Sequence, residues 1–198
     1  MDTYNAGARR WGDGKRYVQF WSTELEVFRR LLPSGRVLDV GSGTGTPTQL
    51  LCSAGYEVVG VDVSESMLQI AAENCPRAEF HLASVYELPF ADASFDGAWL
   101  AASLLHLPKA RINEALTEVR RVLAPHGAAF IAVKRGHGER IEHTGIGDRF
   151  LAYYQPDELR RAVEQAGLPV VRIQQREAPA ATWVCVWIAL DRRHPGSA

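Results

Sequence analysis

Asp39, Gly41, Gly43 and Gly45 stand at alternate positions in the run RVLDVGSGTGTP (36–47), the part of the chain best suited to chemistry. Glycines let the backbone approach a ligand where a Cβ would collide. The helix expected after them, 46–54, offers unpaired N–H groups at its start, and Pro47 suits its first turn. A nucleotide-type cofactor fits such a turn. The spacing argues against a dinucleotide, whose fingerprint G-x-G-x-x-G/A would need glycine or alanine where Thr46 stands. Asp39 argues the same way, because its carboxylate repels a pyrophosphate and tolerates a cationic ligand. A second acid, Asp62, ends the next apolar run (56–61). At about 20 residues past the turn, it is placed to accept both hydroxyls of a ribose. Each charge-assisted bond of that kind is worth about 1.5–3 kcal/mol. His106 is a third candidate, an imidazole in the apolar stretch 101–108 that can take a proton near neutral pH. Its alternative role is a structural hydrogen bond.

These residues need elements to hold them. Residues 36–40, 56–61, 78–82, 94–100 and 128–133 read as buried strands, alternating with helices over 46–54, 65–74, 109–123 and 156–167. Ser64 can N-cap the helix 65–74. Two closing strands follow, 169–175 and 182–190. The second carries Trp183, Cys185 and Trp187 on one face and Val184, Val186 and Ile188 on the other, so it should be interior. The pattern predicts a doubly wound α/β sheet with its ligand at the carboxyl ends of the strands carrying Asp39, Asp62 and Leu100. Before the sheet, 15–32 reads as an amphipathic helix whose Phe20, Trp21 and Phe28 serve the core. Tyr4, Trp11 and Tyr17, in or near an arm over 1–14, are candidates to face a ligand. Residues 134–155, with Gly136, Gly138, Gly145 and Gly147, read as a long irregular loop on the acceptor side of the site. Arg135 and Tyr153 are its candidate contacts. One domain is expected: 1–35 arm and helix, 36–190 core, 191–198 tail.

The chain has 198 residues, 46% hydrophobic and 23% charged, a globular composition with enough chain for a sizeable core. A net charge of -1 gives no electrostatic footprint for nucleic acid. Cys52, Cys75 and Cys185 are widely spaced and form no C-x-x-C pair, so neither a disulfide framework nor a zinc site is expected. No run approaches the ~18 apolar residues of a membrane span, and no apolar leader is visible at the start, so a cytoplasmic location is the expectation.

The stretch around Asp39 and Gly41 resembles motif I of the class I S-adenosylmethionine-dependent methyltransferases, and the later segments follow that family's order from 36 to 167. The chain is most similar to the small ubiquinone/menaquinone-biosynthesis type. The resemblance implies a seven-stranded, mostly parallel Rossmann-like sheet with the last strand inserted antiparallel. It implies S-adenosyl-L-methionine as cofactor and S-adenosyl-L-homocysteine as product. The cofactor residues it implies are Asp39, Gly41, Ser42, Gly43, Gly45, Asp62, Val63, Met67, Ser84, Val85, Leu100 and Ala101. Ser84 replaces an acid of the family pattern that takes the adenine amino group, which should weaken binding modestly. His126 replaces a glycine in the family's turn after the helix 109–123, so a strained or altered turn is expected there. The acceptor, by resemblance a small molecule, would meet Tyr4, Trp11, Tyr17, His106, Arg135 and Tyr153, with His106 as candidate base. No metal is implied. Two other readings are a non-catalytic domain that binds the same cofactor for regulation, and a nicotinamide-dependent oxidoreductase, which Thr46 and Asp39 oppose.

Overall fold

Apolar, β-branched runs become the interior of one sheet. The computed structural model describes residues 19–145 and 147–191. Its strands are β1 (Arg36–Val40), β2 (Glu57–Asp62), β3 (Glu79–Leu82), β4 (Phe95–Ala101), β5 (Leu123–Lys134), β6 (Glu139–Thr144), β7 (Gly147–Ala152), β8 (Val170–Ala178) and β9 (Ala181–Ala189). Seven of them form a sheet in the order β3-β2-β1-β4-β5-β9-β8. β1 to β5 pair in parallel, whereas β9 pairs antiparallel with both β5 and β8 and so runs against the other six. This is the Rossmann-like sheet the sequence implied, with β9 interior.

Side chains alternate across the sheet with the strand period of two. Val37, Trp99, Phe130 and Trp187 fill one layer, with helix α1 (Ser22–Leu31) and helix α2 (Thr46–Ser53) against them. Leu38, Leu100, Ile131 and Val186 fill the other, under helices α4 (Ile112–Val122) and α5 (Pro156–Gln165). Helix α3 (Glu65–Asn74) packs on β2 and β3. Fully burying such a side chain contributes about 1.5–3 kcal/mol, and both faces of the central strands are used in this way. In the first layer Trp99 and Phe130 meet at 4.2 Å between ring centroids, Phe130 and Trp187 at 5.2 Å. Trp21 and Phe28 are buried in that layer and Phe20 packs against it, as expected. The Trp187 Nε1–H donates to the Glu24 carbonyl at 3.1 Å, tying α1 to the sheet.

Three expectations need correction. α1 begins at Ser22, not at 15, after a turn at 19–21; Tyr4, Trp11 and Tyr17 lie outside the described residues, as does the tail beyond Asp191. The turn expected at 124–127 is the start of β5, whose pairing jumps from Phe95↔Leu123 to Gly97↔Ala128. That bulge absorbs the extra residues. His126 is not among the residues with positive φ, so the expected strain is absent, and its ring meets Asp96 at 3.2 Å. The irregular loop 134–155 is instead an antiparallel hairpin, β6–β7, with Glu139 opposite Ala152 and Thr144 opposite Gly147. Cys52 and Cys75, 23 residues apart in the sequence, bring their Sγ atoms to 3.4 Å where α2 meets the end of α3, and all three cysteines are free.

Candidate active site

The turn after β1 is built from backbone hydrogen bonds to the end of β2. Gly41 and Ser42 N–H both donate to the Val61 carbonyl, at 2.8 and 3.0 Å. Gly43 N–H donates to Asp62 Oδ2 at 3.0 Å, and Ser64 N–H donates to Asp62 Oδ1 at 2.9 Å. Asp62 therefore locks the turn to β2 while its carboxylate stays partly exposed. Burial raises its pKa and these N–H bonds pull it back. Gly43 lies at φ +53°, where an added Cβ would meet nothing within 4 Å; this side of the turn is open to a ligand. Gly41, at φ +72°, is closed, because its Cβ would come within 2.5 Å of Ser103 Cβ. Ser64 caps α3, accepting from Met67 N–H at 3.3 Å, as its sequence position suggested. Met67 is buried, and Val63 is 48% exposed beside Asp62.

Asp39 lies beneath this turn, 1% exposed, and accepts the Thr48 hydroxyl at 2.6 Å. Burial pushes its carboxyl up to about 7; the Thr48 bond pulls it down and the Asp62 charge pushes it up. Two hydroxyls nearby, Ser42 Oγ and Ser103 Oγ, are buried without a hydrogen-bond partner among the described residues. A buried polar atom left unpaired is costly, so a ligand with polar groups fits here. At the end of β3, Ser84 Oγ accepts from Tyr86 N–H at 3.3 Å within its own turn, and Val85 is buried beside it.

β4 ends at the same edge. Leu100 and Ala101 are buried, and Ala102 takes φ +60°, a left-handed conformation uncommon for alanine. That twist turns the chain into Ser103, against Gly41, and then into a 3-10 turn, Leu104–His106. His106 Nδ1 lies 3.1 Å from the Phe150 carbonyl in β7. A carbonyl only accepts, so Nδ1 carries the proton and Nε2 is the basic nitrogen of the neutral ring. Burial lowers the His106 pKa to about 4; the Phe150 bond raises it, while the charges of Arg149 and Lys134 lower it further. The ring is therefore neutral near pH 7, and before an acceptor binds Nε2 is a weaker base than the near-neutral imidazole expected from the sequence.

The hairpin covers this edge with a cluster of charges. Glu142 accepts from the Tyr153 hydroxyl and from Arg149 Nη2 at 3.0 Å, and lies 3.4 Å from Arg140 Nη2 and 3.8 Å from Lys134 Nζ. The Tyr153 bond leads in holding the Glu142 carboxyl below its ordinary range. Tyr153, a candidate from the sequence, is thus buried in the cluster. Arg135 is exposed, with its backbone held to Thr182 and Tyr154. Sequence reasoning missed Thr48, Ala102, Ser103 and Glu142. Only Glu142 left a trace, in the alternation Arg140-Ile141-Glu142 before the turn glycines. Among the described residues no group of His, Cys, Asp and Glu is arranged to hold a metal. No described helix is long and apolar enough to cross a membrane.

Comparison with known proteins agrees with this geometry. A family described as "Methyltransferase domain" matches residues 37–127. The methyltransferase GfsG of Streptomyces halstedii is 38% identical over 165 residues, covering 75% of this chain and 58% of GfsG. Demethylmenaquinone methyltransferase of Renibacterium salmoninarum is 37% identical over 101 residues, covering 51% of this chain and 42% of that protein. The chain spans between 30% and 64% of the curated relatives set beside it. A crystal structure of the Burkholderia thailandensis 1,6-didemethyltoxoflavin-N1-methyltransferase, with 1,6-didemethyltoxoflavin and S-adenosylhomocysteine bound, shares the fold. Its TM-score is 0.67 at 21% identity, over 93% of this chain and 89% of that one.

Proposed function

We propose that the chain is a class I S-adenosylmethionine-dependent methyltransferase and that it methylates a small-molecule acceptor lying between the glycine turn and the β6–β7 hairpin. The observation that carries the cofactor side is the turn itself, locked to Asp62 through Gly43 and open where a Gly43 Cβ would stand. Gly41, Ser42, Gly43 and Gly45 would present backbone to the cofactor. Asp62 would accept the ribose hydroxyls with the lone pairs that Gly43 and Ser64 leave. Val63 offers an apolar face to adenine over the buried Met67, and Ser84 and the Val85 backbone offer polar groups to its edge. Leu100 and Ala101 would line the methionine end, with the Ser42 and Ser103 hydroxyls able to take partners there. Asp39 acts from beneath, its negative charge favouring a cationic ligand. When bound, the cofactor supplies an electrophilic methyl on a cationic sulfur.

The rest falls to this chain's own residues. The turn and the 3-10 segment Leu104–His106 hold the acceptor in line, and alignment supplies much of the acceleration. The hairpin and the buried ends of β4 and β5 exclude water, which favours a step that neutralises charge. For a hydroxyl acceptor, His106 Nε2 takes the proton, while the bond to Phe150 keeps Nδ1 protonated and the ring aimed. The net charge of -1 favours a small molecule over a nucleic acid. Three cysteines, an odd number with no C-x-x-C pair, support work in a reducing compartment such as the cytoplasm.

Calorimetry tests the reading directly. Purified protein should bind S-adenosylmethionine and S-adenosylhomocysteine and give no heat with NADH. Binding of NADH without a response to either sulfur compound would overturn it.

A further inference from the structure

The methyltransferase reading leaves the acceptor's chemistry open, and the hairpin narrows it. Lys134 closes β5 at the edge where Ser103 and His106 stand, and its side chain is only 20% exposed. Its one ion pair among the described residues is loose, the 3.8 Å contact with Glu142. That carboxylate is drawn elsewhere, to Arg149 at 3.0 Å and to the Tyr153 hydroxyl. One carboxylate is therefore shared by Lys134, Arg149 and the more exposed Arg140. A cation partly withdrawn from water is best served by a close counter-charge, and among the described residues the nearest to Lys134 stands at 3.8 Å.

We propose that the acceptor carries a carboxylate, received by Lys134 at the end of β5 with Arg149 beside it, while its reacting atom lies toward His106. An ammonium and a guanidinium together suit a carboxylate, since the guanidinium can bind it in the plane of its two oxygens. The charges are coupled to the base. Lys134 and Arg149 both hold down the basicity of His106. A bound carboxylate would offset them and make Nε2 a better proton acceptor only when the acceptor is in place. The inference rests on the methyltransferase reading but fails separately from it.

The test uses the full chain saturated with S-adenosylhomocysteine. It is titrated with a panel of small aromatic and aliphatic carboxylic acids and with the neutral amide of each. The expected result is that acids which bind do so at least about tenfold more tightly than their amides. Lys134→Gln should bring each pair to within about twofold, and Glu142→Gln, which removes the competing charge, should tighten the acids by about three- to tenfold. Thermal midpoint and S-adenosylhomocysteine affinity, measured on every variant, confirm that each is folded and that its cofactor side is intact. The absence of an acid preference, whether nothing in the panel binds or acids and amides bind alike, overturns the proposal. So does a preference that survives Lys134→Gln, or acid binding that Glu142→Gln leaves unchanged or weakens. Failure of S-adenosylhomocysteine to bind the unaltered protein would instead sink the methyltransferase reading.

Discussion

The glycine turn and the hairpin stand at the same edge of the sheet and are held by different forces. At the turn, backbone N–H groups meet a backbone carbonyl and one carboxylate at 2.8–3.0 Å. At the hairpin, long side chains share one carboxylate at 3.0–3.8 Å. The first arrangement fixes a shape to within tenths of an ångström, which suits an invariant ligand. The second is adjustable, because an ammonium or guanidinium can change partner with little backbone movement. The difference suits a site whose cofactor is constant and whose acceptor is what sets this chain apart. His106 joins the two halves, rooted beside Ser103 in one and bonded to β7 in the other.

Removing that joint should produce the largest effect. If the acceptor is a hydroxyl, His106→Ala should lower turnover by about 10²–10⁴. Affinity for S-adenosylhomocysteine should stay within about twofold, because the turn does not depend on the imidazole. Single-turnover kinetics beside calorimetry separates the outcomes. A loss of cofactor affinity or of thermal stability would make the Phe150 bond the whole role of His106. Asp62→Ala comes next and acts on the turn alone. It strips the acceptor of Gly43 and Ser64 N–H as well as the proposed ribose contact, so cofactor binding should weaken by about 2–4 kcal/mol. An affinity within threefold of the unaltered protein would mean that the ribose is held elsewhere.

The same contrast explains what could be read in advance. Alternate glycines and strand-end acids encode the turn because backbone conformation there depends on residue type. Asp39, Gly41, Gly43, Asp62 and the Ser64 cap were all visible for that reason. The hairpin hid because β6 buries no apolar residue among those described: Ile141 is 58% exposed, and Arg140 and Glu142 pair with each other and with Tyr153 instead of entering the core. Its glycines read as breakers, although Gly147 sits in register opposite Thr144. Pairs such as Thr48 with Asp39 and Ser103 with Gly41 depend on how α2 and β4 come to rest against β1. The sequence carries no local mark of that.

A middle-sized effect should appear with pH, and its two signs sharpen the account of the turn. The Asp39 carboxyl is raised to about 7 in the folded protein, from an ordinary 3.8. A folded-state value above the unfolded one gives stability that is fully present below the unfolded pKa and lost as pH rises through about 7. The free protein should therefore lose the Asp39 contribution between pH 4 and 7. Binding of a cationic cofactor favours the ionised carboxylate, so affinity should move oppositely, falling about tenfold per unit below pH 7. Asp39→Asn should flatten both dependences, with a higher thermal midpoint of the free protein at pH 8 and weaker cofactor binding there. Parallel slopes for stability and affinity would remove Asp39 from the account of the cofactor.

The smallest expected effect is the most local, and it sets the end of β4 against an ordinary surface turn. Ala102 and Ala93 are the two non-glycine residues with positive φ among those described, at +60° and +55°. Such a conformation is strained for alanine, and glycine relieves it while making the unfolded chain more flexible. Both Ala102→Gly and Ala93→Gly should therefore fall between neutral and about 1 kcal/mol more stable, where the same exchange inside a helix would cost about that much. They should part in catalysis. Ala93 lies exposed, with its N–H bonded to the Arg121 carbonyl, and its relaxation should leave turnover unchanged. Ala102 aims Ser103 at the glycine turn and sets the start of the 3-10 segment that carries His106. Freeing that backbone should lower turnover by about three- to tenfold even as the thermal midpoint holds or rises, since a small misplacement of reacting groups is costly. Equal turnover in the two variants would make the strain at Ala102 a by-product of how β4 ends, with no part in positioning the site.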